Sequence, residues 1–115
     1  MLPNKFQLPK NMYEKLKRDE RVTGLTPNVS SRALFFKSIE TGKLFCSEDM
    51  ATLETEKPNQ EKSVWLGESQ TATELILHNL YPKKSPDEYA KLWALHIEHG
   101  YQISITGLSS VKTTS

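Results

Sequence analysis

The sequence holds one cysteine, Cys46, three histidines and five glycines among 115 residues, and each scarcity removes a class of chemistry. A lone cysteine closes no internal disulfide and leaves a Cys-based zinc site without partners. The few glycines build no phosphate-cradling loop. GLTPN at 24–28 has neither the glycine spacing nor the lysine-serine pair of a P-loop. No apolar run approaches the roughly 18 residues of a membrane span. The opening MLPNKFQLPK has no apolar segment like that of a signal peptide. A cytoplasmic protein with no membrane partner is therefore expected.

The reactive residues that are present do not assemble. His96 and His99 lie three apart on one expected helix, a spacing that can chelate. Glu98 is off that line and His78 sits on another helix, so no metal is expected. His96 is read as near the core and His99 as exposed. Cys46 precedes Ser47, Glu48 and Asp49, whose acids disfavour a thiolate. It is read as a small buried hydrophobe. Asp87 and Glu88 are explained by a helix start and its dipole. The sequence implies no catalytic residue set and no cofactor.

What it does contain is a charge asymmetry. Residues 1–45 carry nine basic and four acidic side chains, whereas 46–115 carry six and ten. A basic half suggests a face for a polyanion, with Lys10, Lys15, Lys17, Arg18 and Arg21 as candidate DNA contacts. The pair Lys83-Lys84 is a second candidate surface. A single small domain over 1–106 is expected, with a disordered tail at 107–115. A chain this short buries a limited core, which favours oligomerisation.

The residue pattern is mainly α. Alternation in NKFQLP (4–9) predicts a short N-terminal strand needing a partner, which another subunit could supply. Asn11 and Glu14 have capping-box spacing, and Gly24 ends the first helix. Thr26-Pro27 starts a second, with a wide apolar stripe over Val29, Ala33, Leu34, Phe35, Phe36 and Ile39. Short extended pieces are predicted at KLFCSED and KSVWLG, around a loop with a turn at Pro58-Asn59. A helix over 69–82 shows Ala72, Leu75, Ile76 and Leu80 on one side. A final helix opens with the capping box Ser85/Glu88. Its inner face is Tyr89, Leu92, Trp93, His96 and Ile97. It ends at Gly100 or runs to about residue 104.

Strand, helix, tight break and helix is the order of a ribbon-helix-helix unit, followed here by two C-terminal helices. That arrangement pairs two chains into a ribbon that enters the major groove. It would turn Lys5 and Gln7 toward base edges and bring Thr26, Asn28 and Arg32 to phosphate. Phe6, Leu8, Val29, Phe36 and Ile39 would form the dimer core.

Four blocks, LPNKFQL, TGLTPNVSSRALFFKSIE, WLGESQTATELILHNLYP and LWALHIEHG, occur in an order and spacing that resemble the DndE family. This is the E component of DNA phosphorothioation systems, and the resemblance covers about residues 1–104. It implies a non-catalytic accessory protein that binds duplex DNA, nicked duplex included, through surface lysines. It also implies a homo-oligomer, a tetramer before a dimer, working with the other modification components. Three alternatives remain open. They are a protein-interaction scaffold with little DNA affinity, a ribbon-helix-helix repressor, and a sulfur carrier using Cys46.

Overall fold

A computed structural model describes residues 5, 6, 8, 10–51, 60, 61 and 66–114 of the chain. The architecture is mainly helical. The elements in order are β1 (Lys5–Phe6), α1 (Lys10–Thr23), α2 (Pro27–Glu40), α3 (Ser47–Ala51), β2 (Gln60–Glu61), a 3-10 turn (Gly67–Ser69), α4 (Gln70–Leu80) and α5 (Pro86–Thr114). No helix among the described residues is long and apolar enough to cross a membrane.

The N-terminal strand expected over 4–9 is not seen as such. Two residues pair antiparallel within the chain, Lys5 opposite Glu61 and Phe6 opposite Gln60. So small a ladder is no ribbon. Leu8 is buried in the chain's own core, not reserved for a dimer core. The expected strand is corrected accordingly, and the ribbon-helix-helix arrangement is not confirmed. Gln7, the side chains of Lys5 and Lys10, the Pro58-Asn59 turn and 62–65 lie outside the described residues.

α1 is amphipathic for a simple reason. Met12 and Leu16 are four apart and face inward, nearly fully buried. Asn11 lies inside this helix, so it does not cap it. Gly24 ends α1 at φ 72°, donating its N–H to the Glu20 carbonyl at 2.9 Å. That left-handed turn suits glycine and lets α2 begin three residues later. Pro27 occupies the first turn of α2, where its missing N–H costs nothing.

The buried line of α2 is Pro27, Ser31, Phe35 and Ser38. The apolar stripe pointed beside it: Leu34, Phe36 and Ile39 are only partly buried, and Val29 and Ala33 are exposed. Two serines hold the most enclosed positions because α2 lies close against α5. Ser31 donates to the Asn28 carbonyl within its own helix.

α5 is the central element. Residues 89–97 are buried on nearly every side except Lys91. Its start is the capping box read from the sequence: Glu88 N–H donates to Ser85 Oγ at 3.1 Å, and Ser85 N–H to Glu88 Oε1 at 3.0 Å. Gly100 does not stop it. A Cβ at Gly100 would stand 2.1 Å from the Leu34 carbonyl oxygen, so the glycine serves a helix crossing. The helix continues through Thr114, across the segment 107–114 where the sequence suggested a tail.

Two further expectations are corrected. KLFCSED contains the short helix α3 in place of a strand. Cys46 starts it, and both its N–H and its thiol donate to Asp49 Oδ2. α4 buries Thr73 and Leu77, while Ala72, Leu75 and Leu80 are exposed and Ile76 is half-buried. Tyr81 extends the Thr73–Leu77 line by one more turn, and it is this line that meets the core.

Candidate nucleic-acid interface

α1 carries two opposed faces. At 3.6 residues per turn, Tyr13, Glu14, Lys17, Arg18 and Arg21 fall within about 140° of the circumference. Met12 and Leu16 lie on the other side. Those five residues line a shallow groove of about 440 Å³ along the helix. Lys17, Arg18 and Arg21 are exposed, and Glu14 is the one acid among them. Lys17 pairs with Glu20 at 3.7 Å and Arg18 with Asp19 at 3.5 Å, both long contacts made by exposed cations. Ion pairs of this kind contribute at most about 1 kcal/mol and yield readily to a phosphate.

The helix is fixed in place from beneath. Tyr101 on α5 donates its hydroxyl to Asp19 Oδ2 at 2.8 Å. Burial first, then the Asp19 carboxylate, pushes the Tyr101 phenol up from its ordinary value. Lys15 lies over the Tyr101 ring, 5.7 Å from its centroid. Lys15 is therefore turned toward α5 and stands apart from the Lys17–Arg18–Arg21 stripe.

The start of α2 is organised differently from the sequence reading. Thr26 makes no capping bond to the helix backbone; its hydroxyl donates to Asn28 Oδ1. Arg32 has a neighbour on another element. Its guanidinium lies against Gly67, where a Cβ would stand 2.7 Å from a guanidinium nitrogen. Gly67 has φ 52° and belongs to the WLGESQTATELILHNLYP block, so that block is where α2 is clasped.

Sequence reasoning missed a second polar centre. Ser38 Oγ lies 2.8 Å from His96 Nδ1 and 2.7 Å from His99 Nδ1. His96 Nε2 lies 2.8 Å from the Tyr81 hydroxyl, which accepts the Phe45 N–H at 3.0 Å. Burial first, then the charge of His99, lowers the His96 pKa from 6.5 to about 4. The signal was present as two histidines three apart, but nothing local marked Ser38 as their partner. Among the described residues no three His, Cys, Asp or Glu side chains gather as a metal site. Cys46, expected in the core, is exposed.

The sequence of the DndE family, described as DNA sulphur modification protein DndE, matches residues 5–112. A crystal structure of DndE from Escherichia coli B7A, involved in DNA phosphorothioation modification, is similar. It is 37% identical at TM-score 0.79 and spans 87% of this chain and 92% of its own. A glycine-to-lysine DndE mutant involved in DNA phosphorothioation is 37% identical at TM-score 0.77, over 87% of this chain and 95% of its own. No curated protein matches the sequence.

Proposed function

This chain belongs to the DndE family of DNA sulphur modification proteins, and from that premise we propose that it is a non-catalytic DNA-binding accessory protein of phosphorothioation. The observation that carries the reading is the α1 face. Three exposed cations, Lys17, Arg18 and Arg21, stand along one stripe over a rigid, core-anchored helix. Arginine and lysine in a row on one helix face suit backbone phosphates. Lys10, one turn before Glu14 in sequence, is a further candidate, and Lys15, turned toward α5, ranks below it. Thr26 and Asn28, at the exposed start of α2, are candidates for a neighbouring phosphate. Arg32 ranks below them because of its clasp on Gly67.

The protein acts as a homo-oligomer, with a tetramer favoured. Val22 is 89% exposed, Leu25 42% and Val29 38%, an apolar corner at the α1–α2 turn. Beside it lies a cavity of about 210 Å³ whose walls include Leu16, Leu34 and Tyr101. Self-association at this corner would repeat the α1 stripe and multiply phosphate contacts. The other components of the modification complex are its further partners, and the cytoplasm its location.

The test is a titration against intact, nicked and single-stranded DNA of one sequence at several salt concentrations. Salt-sensitive binding that is weakened by Lys17→Glu with Arg18→Glu supports the reading. No binding to any of the three overturns it in favour of a scaffold that holds the catalytic components together.

A further inference from the structure

A chain of hydrogen bonds runs from the surface to the loop that follows α2, and its protons can be counted. The contacts are Phe45 N to Tyr81 hydroxyl, Tyr81 to His96 Nε2, His96 Nδ1 to Ser38 Oγ, and Ser38 Oγ to His99 Nδ1. Ser38 has one hydroxyl hydrogen, so it cannot donate to both imidazoles. The arrangement that fills every contact and leaves no hydroxyl hydrogen over has one polarity. Phe45 N–H donates to Tyr81, Tyr81 O–H to His96 Nε2, His96 Nδ1–H to Ser38, and Ser38 O–H to His99 Nδ1. Four hydrogens serve four contacts, and neutral His99 keeps its own proton on Nε2.

A proton arriving at His99 adds a fifth hydrogen. His99 Nδ1 then becomes a donor toward Ser38. Either Ser38 accepts from both rings and its own hydrogen has no acceptor within the chain, or the polarity reverses. After reversal Tyr81 receives hydrogens from both Phe45 and His96, and its own O–H is left over. Ser38 and His96 are fully buried, so an unmatched hydrogen there is costly. Tyr81 is also held by its backbone, whose carbonyl accepts the Tyr89 hydroxyl at 2.6 Å. After reversal the left-over Tyr81 O–H gains an acceptor only when the half-buried Phe45 moves aside and admits water, so the side of the chain free to yield is Phe45.

The charges around His99 act in the same direction. From the 43–46 segment, Lys43 opposes a proton on His99, and the same lysine stands over the Phe45 ring at 5.6 Å. From α2 the neutral Ser38 bonds to His99, and on α5 the charges of His99 and His96 oppose one another. At the far end Tyr81 feels the Asp49 carboxylate of α3, which Cys46 already engages. The Phe45 ring packs edge-on to His96 and His99, with centroids 4.8 Å and 6.0 Å away.

We infer that His99 is a proton-operated latch: proton uptake on its ring disrupts the relay through Ser38 and His96 and releases Phe45, and with it the segment leading into α3. This is independent of whether the chain binds DNA. It gives the α2–α5 interface a pH-dependent state that acts on residues 43–51 and leaves the helices standing.

The experiment is hydrogen exchange by NMR on the full chain between about pH 7.5 and about pH 5.5, across the histidine range. The Phe45 amide is compared with amides of Leu92, Trp93 and Ala94. The Phe45 protection factor should fall about tenfold or more toward acid while the α5 amides keep theirs. His99→Asn retains an oxygen acceptor without titrating and should hold Phe45 protection flat. An equal fall in His99→Asn, or no fall in the wild type while His99 titrates, overturns the latch. Imidazole nitrogen shifts of the wild type supply an independent check. At neutral pH, His96 should carry its proton on Nδ1 and His99 on Nε2, and the opposite tautomers overturn the latch.

Discussion

Gly100 of α5 passes the backbone of Leu34 in α2 so closely that no side chain fits between them. A Cβ would lie 2.1 Å from the carbonyl oxygen and 2.8 Å from the carbonyl carbon, and both belong to backbone that cannot swing aside. Helix propensity alone favours alanine over glycine here by about 1 kcal/mol. Steric exclusion outweighs it, so Gly100→Ala should destabilise by about 3 kcal/mol, the upper end of overpacking costs. Urea denaturation would measure it. A stabilised Gly100→Ala protein would mean that the two helices do not cross at this point.

Gly67 offers a contrast, because its neighbour is movable. The atoms nearest a Cβ there belong to the Arg32 guanidinium, the far end of a flexible side chain. The larger obstacle is φ 52°. Gly67→Ala should cost about 1–2 kcal/mol from backbone conformation. The double variant with Arg32→Ala should keep most of that loss. Full recovery in the double variant would show that the clash, and not the backbone, is limiting.

Acid should weaken the fold through His96. The folded protein holds this ring neutral, with its pKa lowered from 6.5 to about 4. The unfolded chain takes up a proton first, so stability is complete above pH 6.5 and declines as pH falls from there to about 4. The loss approaches about 3 kcal/mol at roughly 1.4 kcal/mol per unit. Burial, then Lys43, lowers His99 as well, which acts in the same direction. Urea midpoints across this range would check it. Stability unchanged between pH 6.5 and 4 would contradict the buried neutral ring.

The reciprocal bonds between Ser85 and Glu88 fix the start of α5. Ser85→Ala should cost about 1 kcal/mol. Thermal denaturation at neutral pH would register a loss of that size, and an unchanged midpoint would remove the cap from the account.

These cases show where the sequence was legible. Caps and stops are written in adjacent residues, so Ser85/Glu88, Pro27 and Gly24 could be read directly. The inner face of α5 was legible too, because Tyr89, Leu92, Trp93, His96 and Ile97 repeat at helical spacing. The N-terminal strand was not. Alternation shows a face but not a partner, and Lys5–Phe6 pairs with residues more than fifty positions away. Gly100 reads as a stop until its neighbour across the fold is known. Ser31 and Ser38 look like surface residues, yet the close approach of α2 to α5 admits small side chains there and little else. On α4, Leu75 and Leu80 drew attention from Thr73, which is 1% exposed. For the candidate interface, the basic stripe of α1 was visible from periodicity. That Lys15 leans on Tyr101 and Arg32 on Gly67 required the tertiary structure.

The most direct test of the central claim is the salt dependence of DNA affinity for the wild type and for Lys17→Ala/Arg18→Ala/Arg21→Ala. Each phosphate contact contributes about 0.9 to the slope of log affinity against log salt. The account predicts a shallower slope for the variant, by about 2.7 if each of the three side chains meets one phosphate per bound protomer. Folding of the variant, confirmed by an unchanged urea midpoint, would assign the loss to the surface. An unchanged slope with unchanged affinity would contradict the assignment of the α1 face as the DNA-binding surface.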